Sequence, residues 1–312
     1  MTPELTTHDG TAVAPFAFGT MQFGGRADAG DSRAMFEACR AAGIAHFDTA
    51  HVYTDGSSET LLGEFARPER DALFIATKAG YKGGASRDNI LKTFDESRWR
   101  LGMDSVDLLY MHRWDDDTPL AETFETLADL QQRRLIRHIG VSNYAAWQVM
   151  KAQAVAAEMG TRIDVIQPMY NLVKRQAEVE ILPMCASEGI LPVPYSPLGG
   201  GLLTGKYASG ANGGRLTEDE RYAARYGLPY MQDAADGLVA LAQELGTDPA
   251  TLAVAWVAHH AARPVPILSA RNAAQLAPSL AGMDYALDDD LYARLCALSP
   301  TPPPATDRLE EA

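Results

Sequence analysis

The chain has 312 residues, 46% of them apolar, and a formal net charge of −14 with its acidic residues dispersed rather than gathered in a tail. That length commonly folds as one domain and supplies enough apolar surface for a sizeable core. A phosphate backbone or an anionic membrane would repel such a chain, which excludes nucleic-acid and membrane-surface binding while leaving room for one anionic ligand in a local basic pocket.

The first segment, Met1–Gly10, is polar and lacks the apolar stretch of a secretory leader. No apolar run reaches bilayer-spanning length, so a soluble cytoplasmic protein is expected. Asp9-Gly10 is a hairpin signal, and a β-hairpin there would cap one end of whatever follows. From Phe16 onward, short runs rich in β-branched and aromatic residues alternate with longer amphipathic stretches. The runs are Phe16–Met21, Ile44–Thr49, Leu73–Thr77, Val106–Met111, Ile136–Val141, Val165–Pro168, Leu191–Tyr195 and Pro264–Leu268. Between them lie Ser32–Ala42, Arg87–Leu101, Leu120–Arg134, Ala145–Met159 and Gln176–Glu188.

Repeated strand-then-helix order predicts a parallel sheet with helical crossovers. Eight units in this length favour a closed (β/α)8 TIM barrel over an open sheet. Phe23-Gly24-Gly25-Arg26 also lacks the glycine fingerprint that a dinucleotide-binding open sheet places after its first strand. The whole of 1–312 is read as that single domain. Two segments exceed the plan: a Gly- and Tyr-rich connection, Gly199–Tyr230, and a helical stretch, Pro249–His260. Connections that long usually carry function. The tail Pro300–Ala312 is Pro-rich, then charged, and is expected to be loosely ordered. Cys39, Cys185 and Cys296 have neither metal nor disulfide spacing and read as small buried side chains in a reducing compartment. His259-His260 lacks other ligand types at metal spacing, so no metal site is expected.

In a barrel of this kind the chemistry sits at the C-terminal ends of the strands. Asp48 closes the second strand, with His51-Val52-Tyr53 in the loop beyond; Lys78 closes the third and His112 the fourth. Ser142-Asn143, Gln167 and Tyr195 close the fifth, sixth and seventh. Neighbouring strands lie about 5 Å apart, so Asp48, Lys78 and His112 converge on one rim with Tyr53 reaching back. An unpaired ammonium would be costly there, and Asp48 is its natural partner. Lys78 should then lower the Tyr53 pKa and make it an acid–base group, while His112 polarises a carbonyl. With no metal ligand set and no activated nucleophile, the electrons must come from a cofactor.

Phe47-Asp48-Thr49-Ala50-His51-Val52-Tyr53, Ala76-Thr77-Lys78, Leu108–His112, Ile139–Asn143, Gln167–Asn171 and Tyr195–Tyr207 together resemble the aldo-keto reductases, in order and over nearly the whole chain. The resemblance implies an NADP(H)-dependent oxidoreductase that reduces an aldehyde or ketone, reversibly with the alcohol. It implies that Tyr53 is the general acid–base, Lys78 and Asp48 its tuning pair, and His112 the carbonyl-orienting residue. Ser142, Asn143 and Gln167 would hold the nicotinamide carboxamide, and Tyr195 would stack on the ring. Ser196, Leu198, Gly199 and Lys206 would wrap the pyrophosphate; Ser269, Arg271 and Gln275 would meet the adenosine end. The chain departs from the family's usual Gly at Ser269 and usual Asn at Ser279. Arg271 favours a 2′-phosphate, hence NADP(H), with NAD(H) left open.

His51 and Trp114 flank the catalytic positions and are expected to line the substrate pocket. Arg113 is expected to face solvent or form a salt bridge, and Asp115-Asp116-Asp117 reads as a solvated loop. Arg221, Tyr222, Arg225 and Tyr226 form either a lid or an interface. Three competing readings stay open: a non-catalytic cofactor-sensing subunit of a membrane channel, an aldolase with Lys78 as Schiff-base nucleophile, and a sugar or secondary-alcohol dehydrogenase. The substrate is a small molecule of unassigned identity, and no stripe in the sequence assigns an oligomeric state.

Overall fold

The computed structural model describes residues 2–207, 215–308 and 310. Met1, residues 208–214 of the long connection and residues 309, 311 and 312 of the tail lie outside the described residues. Eight parallel strands are present: β1 Ala17–Gly19, β2 His46–Asp48, β3 Phe74–Ala79, β4 Val106–Met111, β5 Ile136–Ser142, β6 Val165–Gln167, β7 Leu191–Pro192 and β8 Ile267–Leu268. Each pairs with its sequence neighbour, and β8 pairs with β1. Two backbone bonds join the remaining ends, Val265 N–H to Pro192 C=O and Ile267 N–H to Pro194 C=O, both 2.9 Å, so the sheet returns on itself.

That seam explains why the last two strands are shorter than the sequence suggests. The donors of Leu191, Val193 and Tyr195 all go to the sixth-strand side. Pro192 and Pro194 face the seam and can only accept. Half of the usual ladder is therefore missing between β7 and β8. Where an N-terminal hairpin is expected there is one isolated antiparallel bridge, Thr6 with Ala12, with the Thr7 and Gly10 N–H groups donating to the Thr11 and Thr7 carbonyls.

Both faces of the central strands are apolar, as parallel strands buried on two sides require. Phe74, Ala76, Leu108, Tyr110 and Val165 point inward to a compact interior cluster with Leu5 beneath them. Ile75, Leu109, Met111 and Ile139 point outward to a larger cluster. The latter is covered by α1 Ala29–Ala41, α2 Ser57–Ala66, α3 Arg87–Leu101, α4 Leu120–Gln132 and α5 Ala146–Glu158. Ser86 caps the start of α3 by accepting from Asn89 N–H, and Gly102 at φ 64 ends it. Gly63 lets α2 cross close to α3: a methyl group there would lie 2.2 Å from the Leu101 carbonyl oxygen.

The long connection is more structured than a loop. After α6 Ile181–Glu188, a 3-10 turn spans Gly199–Thr204, and α7 Arg215–Glu218, α8 Glu220–Tyr226 and α9 Pro229–Leu245 follow. With α10 Pro249–His259 they pack a second apolar cluster around Trp256 and Leu238. Next come α11 Ala273–Ala281 and α12 Asp289–Cys296. No helix among the described residues is long and apolar enough to cross a membrane.

Candidate active site

Register brings the charged residues together. Asp48 pairs with Ala76 across β2 and β3. Lys78 stands two residues further on, therefore on the same inner face. The Lys78 ammonium pairs with Asp48 Oδ1 and also donates to the Thr49 carbonyl at 2.8 Å and to Tyr53 Oη at 3.3 Å. Asp48 Oδ2 accepts from Gln167 Nε2 at 2.9 Å, reaching across the ring to β6. The ion pair is almost wholly shielded, with side-chain exposures of 0% for Lys78 and 3% for Asp48. His112 is the first residue past β4, and its ring lies edge-on to Tyr53 at 5.9 Å between centroids.

Tyr53 is delivered by a loop whose shape is held from outside. Thr54, Asp55 and Gly56 all have positive φ, at 46°, 51° and 95°. Arg100, on α3, donates to the His51 carbonyl at 2.9 Å and to Glu59 Oε2 at 3.1 Å. The fully buried Glu59 carboxylate accepts from Thr77 Oγ1 at 2.7 Å through its other oxygen. A buried, fully partnered carboxylate thus ties the tyrosine loop to the residue preceding Lys78.

The electrostatics correct one expectation. Burial pushes the Tyr53 phenol above its ordinary value of 10; Lys78 opposes this, but Asp48 adds to it. Tyr53 is therefore a neutral hydroxyl at neutral pH, because burial, helped by Asp48, outweighs the Lys78 charge. For Lys78 itself, burial works against the ammonium, yet Asp48 and Tyr53 outweigh it and hold the group charged above its usual range. His112 is driven down to about 3 by burial, then by Lys78 and Arg113, so its ring is neutral. Its Nδ1 is buried without a hydrogen-bond partner among the described residues.

One cavity of about 860 Å³ opens over this group. Asp48, Tyr53 and His112 line it together with Ser142, Asn143, Gln167, Tyr195, Ser196, Leu198, Lys206, Ser269, Arg271 and Gln275. Lys78 stands behind Tyr53 rather than on the wall. Ser142 Oγ donates to the Gln167 carbonyl at 3.1 Å, and Asn143 Nδ2 donates to the His112 carbonyl at 3.0 Å. Tyr195 Oη donates to Asn143 Oδ1 at 2.7 Å. Asn143 and Ser196 sit at φ 58° and 62°, conformations uncommon for residues with a side chain; the contacts above hold Asn143, and Asn171 Nδ2 donates to the Ser196 carbonyl at 2.9 Å.

Three expected wall residues are elsewhere. His51 turns outward to Glu96 at 2.7 Å. Trp114 donates to Asp116 Oδ1 at 2.7 Å and packs edge-on against Tyr144 and Trp147. Gly199 is buried beneath the turn, and Gly200 and Gly201 present their backbones to the cavity instead. In return the wall gains Met21, Gln22, Val52, Tyr81, Lys82, Arg113, Tyr222 and Arg225. Tyr81 and Lys82 follow β3 directly, so the strand-end rule that found Lys78 also reaches them. Tyr222 and Arg225, two of the four residues read as either a lid or an interface, arrive on α8 and line the cavity.

The far half of the cavity fits a long anionic dinucleotide. Gly200 and Gly201 adopt φ 66° and 100°, where a side chain would strike Tyr222 and the Lys206 ammonium. Two buried hydroxyl oxygens on the wall, Ser269 Oγ and Ser279 Oγ, have no hydrogen-bond partner among the described residues. Arg271 stands just before α11, whose first turn is capped by Asn272. Such orphaned hydroxyls and exposed backbone are what a polar ligand would satisfy. Among the described residues no group of three or more His, Cys, Asp or Glu side chains could hold a metal ion.

The chain is similar to known proteins over most of its length. The model of the aldo/keto reductase family matches residues 15–300. A probable voltage-gated potassium channel subunit beta of Oryza sativa subsp. japonica is 33% identical over 80% of this chain and 81% of its own length. Aflatoxin B1 aldehyde reductase member 2 of Rattus norvegicus is 34% identical over 78% of this chain and 71% of its own. Protein tas of Escherichia coli (strain K12) is 31% identical over 93% and 95%.

Proposed function

The chain belongs to the aldo/keto reductase family and is an oxidoreductase, and from that premise we propose that it reduces an aldehyde or ketone with NADPH, Tyr53 giving the proton. The observation that carries this is the buried Lys78 ammonium lying between Asp48 and the Tyr53 hydroxyl, directly behind the cavity wall that those two residues form. A nicotinamide cofactor supplies a hydride to the carbonyl carbon when bound. Tyr53 Oη, neutral and wall-facing, donates its proton to the carbonyl oxygen as negative charge builds there. Lys78 stabilises the phenolate left behind, and Asp48 keeps that ammonium in place. His112, neutral, donates from one ring nitrogen to the same oxygen and orients it. Run backward, Tyr53 takes the proton of an alcohol, so a sugar or secondary-alcohol dehydrogenase uses the same parts.

Ser142, Asn143 and Gln167 would hold the carboxamide, with Tyr195 against the nicotinamide face. The 200–201 backbone and Lys206 would take the pyrophosphate, and Arg271 a 2′-phosphate. Replacing Arg271 with Ala should weaken NADPH binding about tenfold to a hundredfold, the worth of a charge-assisted bond. NADH binding should move less than about twofold. Fluorescence titration of both cofactors checks this, and equal losses for the two would remove Arg271 from the 2′-phosphate.

A Schiff-base role for Lys78 needs a neutral amine, whereas Asp48 and Tyr53 hold this one protonated. A non-catalytic cofactor-binding subunit is the second reading, favoured by the relatives named as probable potassium-channel subunits. One assay separates the two: NADPH absorbance followed across a broad carbonyl panel, with NADH beside it. Carbonyl-dependent oxidation is expected. Tight cofactor binding with no turnover on any carbonyl would favour the subunit reading.

A further inference from the structure

The carbonyl end of the cavity carries an excess of positive charge that the reductase reading leaves unused. Five cations line the cavity: Lys82, Arg113, Lys206, Arg225 and Arg271. None forms an ion pair with a carboxylate of the described residues, although the chain has 41 acidic residues against 27 basic ones. The wall's own carboxylates are committed elsewhere, Asp48 to Lys78 and Asp248 to the Ala250 N–H that it caps. Lys206 and Arg271 fall to the cofactor in the reading above. Three cations remain at or near the Tyr53 end.

Arg113 is the best placed of them. Its guanidinium lies 5.2 Å from the Tyr81 ring centre, and that ring lies 4.8 Å from His112. His112 in turn meets Tyr53 at 5.9 Å, so one continuous aromatic path joins the proton donor to Arg113. On the other side, Arg225 sits 5.2 Å from the Tyr222 ring centre.

The neighbouring acidic run forms no ion pair with Arg113 among the described residues, although the Thr118 hydrogen bond and, more weakly, the guanidinium charge hold the Asp115 carboxyl low. Asp115 Oδ2 accepts from Ala85 N–H at 2.7 Å and from Thr118 Oγ1 at 2.6 Å, and Asp116 accepts from Trp114. Asp115 and Asp116 are thus engaged by other donors, and the guanidinium lies beside the Tyr81 ring on the cavity wall. A planar five-donor fork in that position matches a carboxylate or phosphate.

We propose, resting on the reductase reading, that the carbonyl substrate carries an anionic group, a carboxylate or a phosphate, received by Arg113 beyond His112. Lys82 and Arg225 raise the local potential and draw that anion in against the negative field of the rest of the chain. Neutral carbonyls of the same shape then bind less well and turn over more slowly at low concentration.

The test measures kcat/KM with NADPH for two matched pairs: 4-carboxybenzaldehyde against its methyl ester, and glyceraldehyde 3-phosphate against glyceraldehyde. The charged member of at least one pair should be preferred about tenfold or more, and the pair that shows the preference distinguishes carboxylate from phosphate. Added salt should shrink the preference. In Arg113→Gln the charged-to-neutral ratio should fall about tenfold to a hundredfold, through KM rather than kcat. Turnover of neutral and charged members at equal kcat/KM, or an unchanged ratio in Arg113→Gln, would overturn the inference and leave the reductase reading standing. Absence of NADPH oxidation with all four carbonyls would overturn both.

Discussion

Replacing Tyr53 with Phe is expected to lower kcat by about three orders of magnitude, within the range that a positioned acid contributes. NADPH affinity should move less than about twofold. The substitution removes one oxygen and leaves the ring in its T-shaped contact with His112. Lys78 loses a 3.3 Å partner but keeps Asp48 and the Thr49 carbonyl, so no buried charge is stranded. The loop itself is held by Arg100 through the His51 carbonyl and is untouched. The loss therefore falls on the chemical step. Steady-state kinetics with a cofactor titration checks it, and a kcat within about tenfold of the parent would remove Tyr53 from the proton transfer.

The second large effect concerns the buried pair. Lys78→Met should abolish measurable turnover and also cost about 3–5 kcal/mol of stability, because it strands the Asp48 carboxylate in the interior with only Gln167 as a partner. Burial already pushes the Asp48 carboxyl above its ordinary range, with Lys78 and Gln167 pulling against it. Without Lys78 the folded-state value rises further above the unfolded one. The folded state then holds the extra proton, so this variant should gain stability as pH falls from neutrality toward the carboxylate range, and lose it as pH rises. Adding Asp48→Asn to Lys78→Met removes the stranded charge and should restore much of the stability without restoring turnover. Urea unfolding of the two variants at two pH values, with kcat beside it, measures both halves. A single variant as stable as the parent, or an active double variant, would contradict the account.

Elements set by local pattern were legible: Val106–Met111 and Arg87–Leu101 have the bounds read from the sequence. Asp48, Lys78 and His112 follow from one topological rule applied to strand ends, and their proximity needs only the two-residue register shift along β3.

What escaped the sequence depends on direction or on distant packing. His51 and Trp114 neighbour the right residues, but each finds a carboxylate outside the cavity, Glu96 and Asp116. Helix α2 follows three consecutive positive-φ residues, where Thr-Asp-Gly reads as a plain turn. The brevity of β7 and β8 comes from Pro192 and Pro194, whose missing donors face β8 only once the ring has closed. For Tyr222 and Arg225 the sequence left lid and interface open, and the approach of Tyr222 to Gly200 decides for the cavity wall. The direction of the Tyr53 shift also turned on burial, which outweighs the Lys78 charge and has no signature in residue order.

The most direct test of the central claim is isotopic. The protein is given NADPH carrying deuterium on the transferable C4 position and a panel of aldehydes, and the alcohols are read by NMR. The account predicts one deuterium on the carbinol carbon of each product, with formation of that product nearly abolished in Tyr53→Phe. Alcohol formed without deuterium at that carbon, or the same rate of labelled product from the Tyr53→Phe protein, would contradict it.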